Sequence, residues 1–146
     1  MSASSKPKVL FLCTGNSCRS QMAEGWARRL KSDCVEAFSA GTNPHGVNKL
    51  AVQVMLEAGV DISKHTSKHI DELQDIRFDY VVTVCGAADE SCPVLTESTK
   101  KRHHGFDDPP KLAASMMTEG EALQVYRRVR DEIRAYIETF PSCLME

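Results

Sequence analysis

Aromatic residues are scarce in this sequence, at 6%, and neither sign of charge predominates: 18 Lys and Arg against 20 Asp and Glu leave a formal net charge of -2. A nucleic-acid-binding domain needs a basic field to hold phosphates, so that class is excluded and a small-molecule partner is expected instead. Long apolar runs are also missing. No stretch approaches the roughly 18 consecutive apolar residues that cross a bilayer, and the opening residues MSASSKPK contain no apolar core of the kind a secretory leader carries. The expectation is a cytoplasmic protein without a membrane partner. Internal repeats and low-complexity tracts are absent too. Residues 1–7 read as a flexible N-terminal segment and 8–146 as a single domain, whose 42% hydrophobic content suffices for one core.

Cysteine, by contrast, is plentiful. Six cysteines in a chain expected among reducing thiols point to redox chemistry or metal binding rather than to a disulfide framework. Zinc is disfavoured, because Cys13 with Cys18 and Cys85 with Cys92 miss the usual spacing of about two to four residues between ligands. No metal is therefore expected.

Val9-Leu10-Phe11-Leu12 is a buried-strand pattern that ends at Cys13, and Ser20 to Lys31 carries Met22, Trp26 and Leu30 at helical spacing. Val35 to Ser39 is a second strand candidate. Asn48 caps a helix that places Leu50, Val54, Met55 and Ala58 on one face and stops at Gly59. A short helix is expected from Ser67, and Tyr80 to Val84 is the most β-branched run, ending at Cys85. A weak strand near His103 to Phe106 precedes Asp107-Asp108-Pro109-Pro110, which reads as loop because of its prolines. From Glu121 to Phe140 one stripe of a long helix holds Leu123, Tyr126, Val129, Ile133, Ile137 and Phe140. Alternating strands and helices predict an α/β fold, a three-layer sandwich with a four-stranded parallel sheet flanked by helices. Ligands in such sheets bind beyond the carboxyl ends of the strands, where Cys13 and Cys85 fall.

The segment Cys13-Thr14-Gly15-Asn16-Ser17-Cys18-Arg19-Ser20 joins a strand to a helix. Gly15 and Asn16 tolerate left-handed backbone, so successive N–H groups can turn inward and form an anion nest. The helix start adds positive dipole, and Arg19 adds a planar fork of donors for two oxygens of a tetrahedral oxyanion. Thr14, Gly15, Asn16, Ser17, Cys18 and Arg19 are the expected oxyanion binders. The same field favours the thiolate of Cys13, the expected nucleophile. Ser20 either hydrogen-bonds that sulfur or simply caps the helix.

Cys85 and Cys92 are seven residues apart. In an intact helix that puts their α-carbons about 10 Å apart, and a disulfide tolerates only about 7 Å. They can pair only where residues 86–91 are loop or lose their helix. Otherwise Cys85 is a buried strand-end residue and Cys92 a loop thiol. Cys18, Cys34 and Cys143 read as structural thiols. Asp108 is a candidate general acid, with Asp107 as competitor and an ordinary turn residue as the plain alternative. Lys100, Lys101, Arg102, His103 and His104 form a cationic run that reads as a solvated face able to attract an anion.

The motifs VLFLCTGNSCRSQMAEGW at 9–26, SAG at 39–41, HGVN at 45–48, DISKHTS at 61–67, VVTVC at 81–85, CP at 92–93 and GFDDP at 105–109 resemble the arsenate reductases built on the low-molecular-weight protein tyrosine phosphatase fold. The similarity is to the three-cysteine branch typically recycled by thioredoxin. The phosphatase branch commonly has Pro where Gln21 stands and lacks the paired Cys85 and Cys92. The resemblance implies Cys13 as nucleophile, Arg19 and the loop amides as oxyanion binders, Cys85 and Cys92 as a redox pair, and Asp108 as acid. It also implies no bound cofactor, with electrons from thioredoxin or a similar dithiol, and a monomer acting on arsenate. Phosphomonoester hydrolysis by the same loop, or oxyanion and redox sensing without turnover, are the rival functions.

Some members of that family bind potassium through residues matching Asn16, Glu24 and Ser39, together with an acidic residue where Lys68 stands. Lys68 disfavours the cation. Its ammonium is expected to replace the ion by pairing with Glu24 and steadying Asn16.

Overall fold

The computed structural model describes residues 6–86, 99–115 and 118–145. Four parallel strands form one sheet: β1 (Lys8–Cys13), β2 (Glu36–Gly41), β3 (Tyr80–Thr83) and β4 (Lys100–His103), in the order β2-β1-β3-β4. Among the described residues the helices are α1 (Arg19–Leu30), α2 (Lys49–Glu57), α3 (Pro109–Ala113) and α4 (Glu119–Ile137), with short 3-10 turns at Ile70–Leu73 and Ser142–Met145. The sheet flanked by helices is the α/β architecture expected from the sequence.

β1 lies inside the sheet, between β2 and β3, and past Lys8 it has nothing polar to solvate. Val9, Leu10, Phe11 and Leu12 are all fully buried, each worth roughly 1.5–3 kcal/mol against exposure. It pairs with β2 in the register Leu12↔Ala40 and Cys13↔Gly41, and with β3 in the register Leu12↔Thr83. The chain leaves β1 for β2 on one side and reaches β3 on the other. The carboxyl ends of β1 and β3 therefore border the crevice where strand order reverses, the place such sheets reserve for ligands.

α1 packs against α4 through Trp26, which is buried and donates its indole N–H to the Arg130 carbonyl at 3.2 Å. The guanidinium of Arg134 lies 5.0 Å from the Trp26 ring centre. On α4, Tyr126, Val129, Ile133 and Ile137 are buried as the periodicity predicts, joined by Ala122. Asn48 caps α2 as expected, its Oδ1 accepting from the backbone of Leu50 and Ala51 at 2.9 and 3.0 Å.

Four local expectations need correction. β4 is Lys100–His103 rather than His103 to Phe106; as an edge strand it pairs only with β3, so it tolerates the charged run that patterning assigned to a solvated face. Pro109 and Pro110 open α3 instead of lying in loop, since the first helical turn needs no N–H from them. The helix expected from Ser67 is only the turn Ile70–Leu73. His69 caps it, and Glu72 completes a capping box. α4 begins at Glu119, where Thr118 accepts from the Glu121 N–H, and stops at Ile137, so Phe140 is buried beyond its end.

Candidate active site

The loop from Cys13 to Cys18 turns all of its carbonyls away from the crevice and finds a partner for each. Cys13 O accepts from Thr42 N at 3.2 Å, Thr14 O from Asn43 N at 2.8 Å, Gly15 O from His45 N at 2.9 Å and Ser17 O from Asn48 N at 2.8 Å. Asn16 O accepts from the Gln21 amide at 3.0 Å, Gly15 O also from the Ser67 hydroxyl at 3.0 Å, and Cys18 O from Met22 N at 2.9 Å. In a planar trans peptide each carbonyl opposes the next residue's N–H. Bonding the carbonyls outward therefore aims the N–H groups of Thr14 to Arg19 inward. Among the described residues, the N–H groups of Thr14 to Cys18 donate to no protein acceptor. Asn16, with φ of 46°, supplies the left-handed residue that the turn requires.

The start of α1 reinforces this nest. Its N-cap is Cys18, which makes no side-chain capping bond, and no acid stands in the first turn. The positive end of the helix is thus left for an external anion.

Ser20 is buried and is not a cap. The Lys68 N–H donates to Asn16 Oδ1 at 2.8 Å, so Asn16 Nδ2 is the donor to Ser20 Oγ, at 2.9 Å. With its oxygen accepting from Asn16, the Ser20 hydroxyl is free to donate to Cys13 Sγ, 3.2 Å away. A directed chain of hydrogen bonds therefore ends on the sulfur of the nucleophile candidate. Asn16 serves this chain from beneath the loop, where it is fully buried.

A cavity of about 480 Å³ opens above the loop. Cys13, Arg19, Cys85 and Asp108 all line it. The Arg19 guanidinium is held by the Phe106 carbonyl at 3.0 Å and faces Asp108 at 3.6 Å. Of the two acids weighed, Asp108 lines the cavity, whereas Asp107 pairs with Arg128 at 2.9 Å on the surface. Cys85 is buried at the end of β3, with its sulfur 3.5 Å from the Thr14 hydroxyl. Cys92 falls outside the described residues. Cys18 lines the cavity as well, but burial, reinforced by the nearby Cys13 sulfur, pushes its thiol far above the ordinary range. Cys34 and Cys143 lie away from the cavity.

The model of the low molecular weight phosphotyrosine protein phosphatase family matches residues 8–144. The chain belongs to this family. Within it, the chain is 47% identical over 135 residues to arsenate reductase 2 of Staphylococcus epidermidis, covering 92% of this chain and 96% of the relative. It is equally identical over 137 residues to an arsenate reductase of Staphylococcus aureus, covering 94% and 98%. A solved arsenate reductase in a phosphate-binding state superposes with a TM-score of 0.74 at 34% identity, over 90% of this chain and 94% of that one. An arginine phosphatase from Geobacillus stearothermophilus superposes at 0.72 and 25% identity, over 95% and 93%.

In this phosphatase-family fold the cation expectation resolves in part. Glu24 is 5% exposed, and it pairs with Arg28 at 2.7 Å while accepting from the Ser39 hydroxyl. The Lys68 ammonium donates instead to the carbonyls of Ser39 and Thr66, at 3.2 and 3.0 Å. The expected Lys68 to Glu24 pair is therefore replaced by Arg28 to Glu24, one helical turn apart on α1, and Asn16 is steadied by the Lys68 backbone rather than by its ammonium.

As site residues, sequence reasoning missed the strap, Thr42, Asn43, His45 and Asn48, together with Gln21 and Ser67; it read Asn48 only as a cap and Ser67 only as a helix start. Most of the strap acts through backbone N–H groups, which leave no trace in residue type. Only Gly41 carried a signal: a Cβ there would collide with the Thr14 carbonyl oxygen and stand 2.9 Å from Asn16 N.

Proposed function

We propose that this chain is an arsenate reductase. One observation carries the reading: Cys85 shares the oxyanion cavity with Cys13 and Arg19, and a purely hydrolytic loop needs no second thiol there. The thiolate of Cys13 attacks arsenic(V) while the loop amides and Arg19 hold the arsenate oxygens. Asp108 gives its proton to the departing oxygen, which leaves as water, and a Cys13 thiol-arsenate adduct is formed.

Cys85, as thiolate, then attacks the Cys13 sulfur. The sulfur–arsenic bond breaks with its electron pair staying on arsenic, which leaves as arsenite, and a Cys13 to Cys85 disulfide forms. Cys92 next attacks Cys85 and frees the Cys13 thiolate. The resulting Cys85 to Cys92 disulfide is reduced by thioredoxin or a similar dithiol, which supplies the two electrons. The reading includes a monomer that works in the cytoplasm, where such dithiols are kept reduced.

The test supplies arsenate and a thioredoxin recycling system to wild type, Cys85→Ser and Cys92→Ser. Wild type should turn over repeatedly and both variants should stop after at most one event. Turnover of both variants at the wild-type rate would rule out the relay.

A second reading is favoured by the cavity volume, which exceeds that of an inorganic oxoanion several times over. Phosphomonoesters enter the same loop, with water resolving a Cys13 phosphoryl intermediate. This activity would survive Cys85→Ser and Cys92→Ser and disappear in Cys13→Ser.

A further inference from the structure

The cavity is lined by polar side chains that the reaction scheme does not use. Around the cavity, Arg19 and Lys111 stand with the Cys13 sulfur and with Asp108, the proton donor of the scheme. Arg19 is further committed to the Phe106 carbonyl and faces Asp108. His45 also lines the cavity, and the reaction scheme gives it no role.

His45 is held at this position from two sides. Its backbone N–H donates to Gly15 O at 2.9 Å, which ties it to the anion loop itself. Its ring lies over Gly15: Nδ1 is 3.2 Å from the point a Cβ on Gly15 would occupy, and Ser17 Oγ is equally close to that point. A side chain at position 15 would push the imidazole off the loop. His45 is nonetheless exposed while lining the cavity. An exposed histidine serving only the fold would need neither the bare glycine beneath it nor a place on the cavity wall.

We propose that His45 is a substrate-binding residue that captures the tetrahedral oxoanion at the cavity wall, adding a charged or N–H donor to the set formed by the loop amides and Arg19. The inference rests on the loop being an oxoanion site and not on the reduction step.

Two measurements on the full chain test it: calorimetric titration with inorganic phosphate, and steady-state arsenate reduction with a thioredoxin system. In His45→Gln the phosphate Kd and the arsenate KM should each rise about five- to tenfold, the scale of one exposed charge-assisted hydrogen bond, with kcat within about twofold of wild type. His45→Arg should restore both to within about twofold. Unchanged phosphate affinity in His45→Gln would overturn the proposal. So would a joint loss of kcat and melting temperature in His45→Gln that His45→Arg fails to rescue, the mark of a merely structural residue. If wild type binds phosphate but reduces no arsenate, the reductase reading fails and the calorimetric comparison alone decides on His45.

Discussion

Gly41 leaves no room for a side chain beside the Thr14 carbonyl of the anion loop. A methyl group there would collide with the Thr14 carbonyl oxygen, and Asn16 N and Cβ would stand 2.9 and 3.0 Å from it. These are backbone atoms of the anion loop and the base of its left-handed residue, so nothing flexible is available to yield. Gly41→Ala should lose about 1–3 kcal/mol of stability, the usual cost of overpacking a tight site. It should also weaken phosphate binding by more than tenfold, because the displaced amides no longer converge. Thermal melting and phosphate titration check both; an alanine variant as stable and as tight-binding as wild type would contradict the geometry.

Ser20→Ala removes the last link of the chain from Lys68 through Asn16 to Cys13. The thiolate loses a hydrogen bond worth about 1.5–3 kcal/mol, so turnover should fall roughly tenfold or more. Asn16 Nδ2 is left buried without its acceptor, at a cost of about 1–3 kcal/mol to the fold. Single-turnover kinetics and melting read the two losses separately, and an unchanged rate would show that the sulfur does not need the hydroxyl.

His65 links pH to stability. Gln21 spends its amide N–H groups on the carbonyls of Asn16 and Thr66, so its Oε1 accepts and His65 Nδ1 must carry the proton in the 3.0 Å bond between them. Burial lowers the pKa of His65; Glu24 opposes that shift, and Arg28 and Lys68 add to it. The folded value thus lies below the unfolded one of 6.5. Stability is fully present above the unfolded value and is lost as pH falls through it, because the unfolded chain takes up the proton first. Melting temperatures measured from pH 7.5 down to 5.5 should fall more steeply for wild type than for His65→Gln. Parallel slopes would remove His65 from the account.

Lys68 predicts indifference to potassium. Its ammonium lies on the Ser39 and Thr66 carbonyls, and Glu24 is already neutralised by Arg28. Turnover and melting temperature should agree in potassium and sodium salts of equal ionic strength. A clear gain with potassium would show that a cation displaces the ammonium.

The parts of this molecule that sequence reveals are those where a side chain does the work within a few residues of its neighbours. The apolar run of β1, the Asn48 cap, the stripe Tyr126 to Ile137 and the loop between Cys13 and Ser20 are all of this kind, since helix and strand periods are local. The edge strand β4 was misplaced because an edge demands little burial, so charged residues there look like solvated surface. Pro109 and Pro110 were misread because a proline's effect depends on where a helix begins.

The sequence by itself determined the chemistry on offer: a nucleophilic sulfur, a guanidinium six positions on, and a glycine and an asparagine able to bend the chain between them. Tertiary structure alone decided that Cys85 and Asp108 face the same cavity, that Ser20 aims at sulfur rather than capping α1, and that Glu24 pairs with Arg28. It also decided which way the loop amides point. That orientation is enforced mainly by the N–H groups of residues 42–48, and a backbone N–H is the same in almost every residue, so little beyond Gly41 could have announced it.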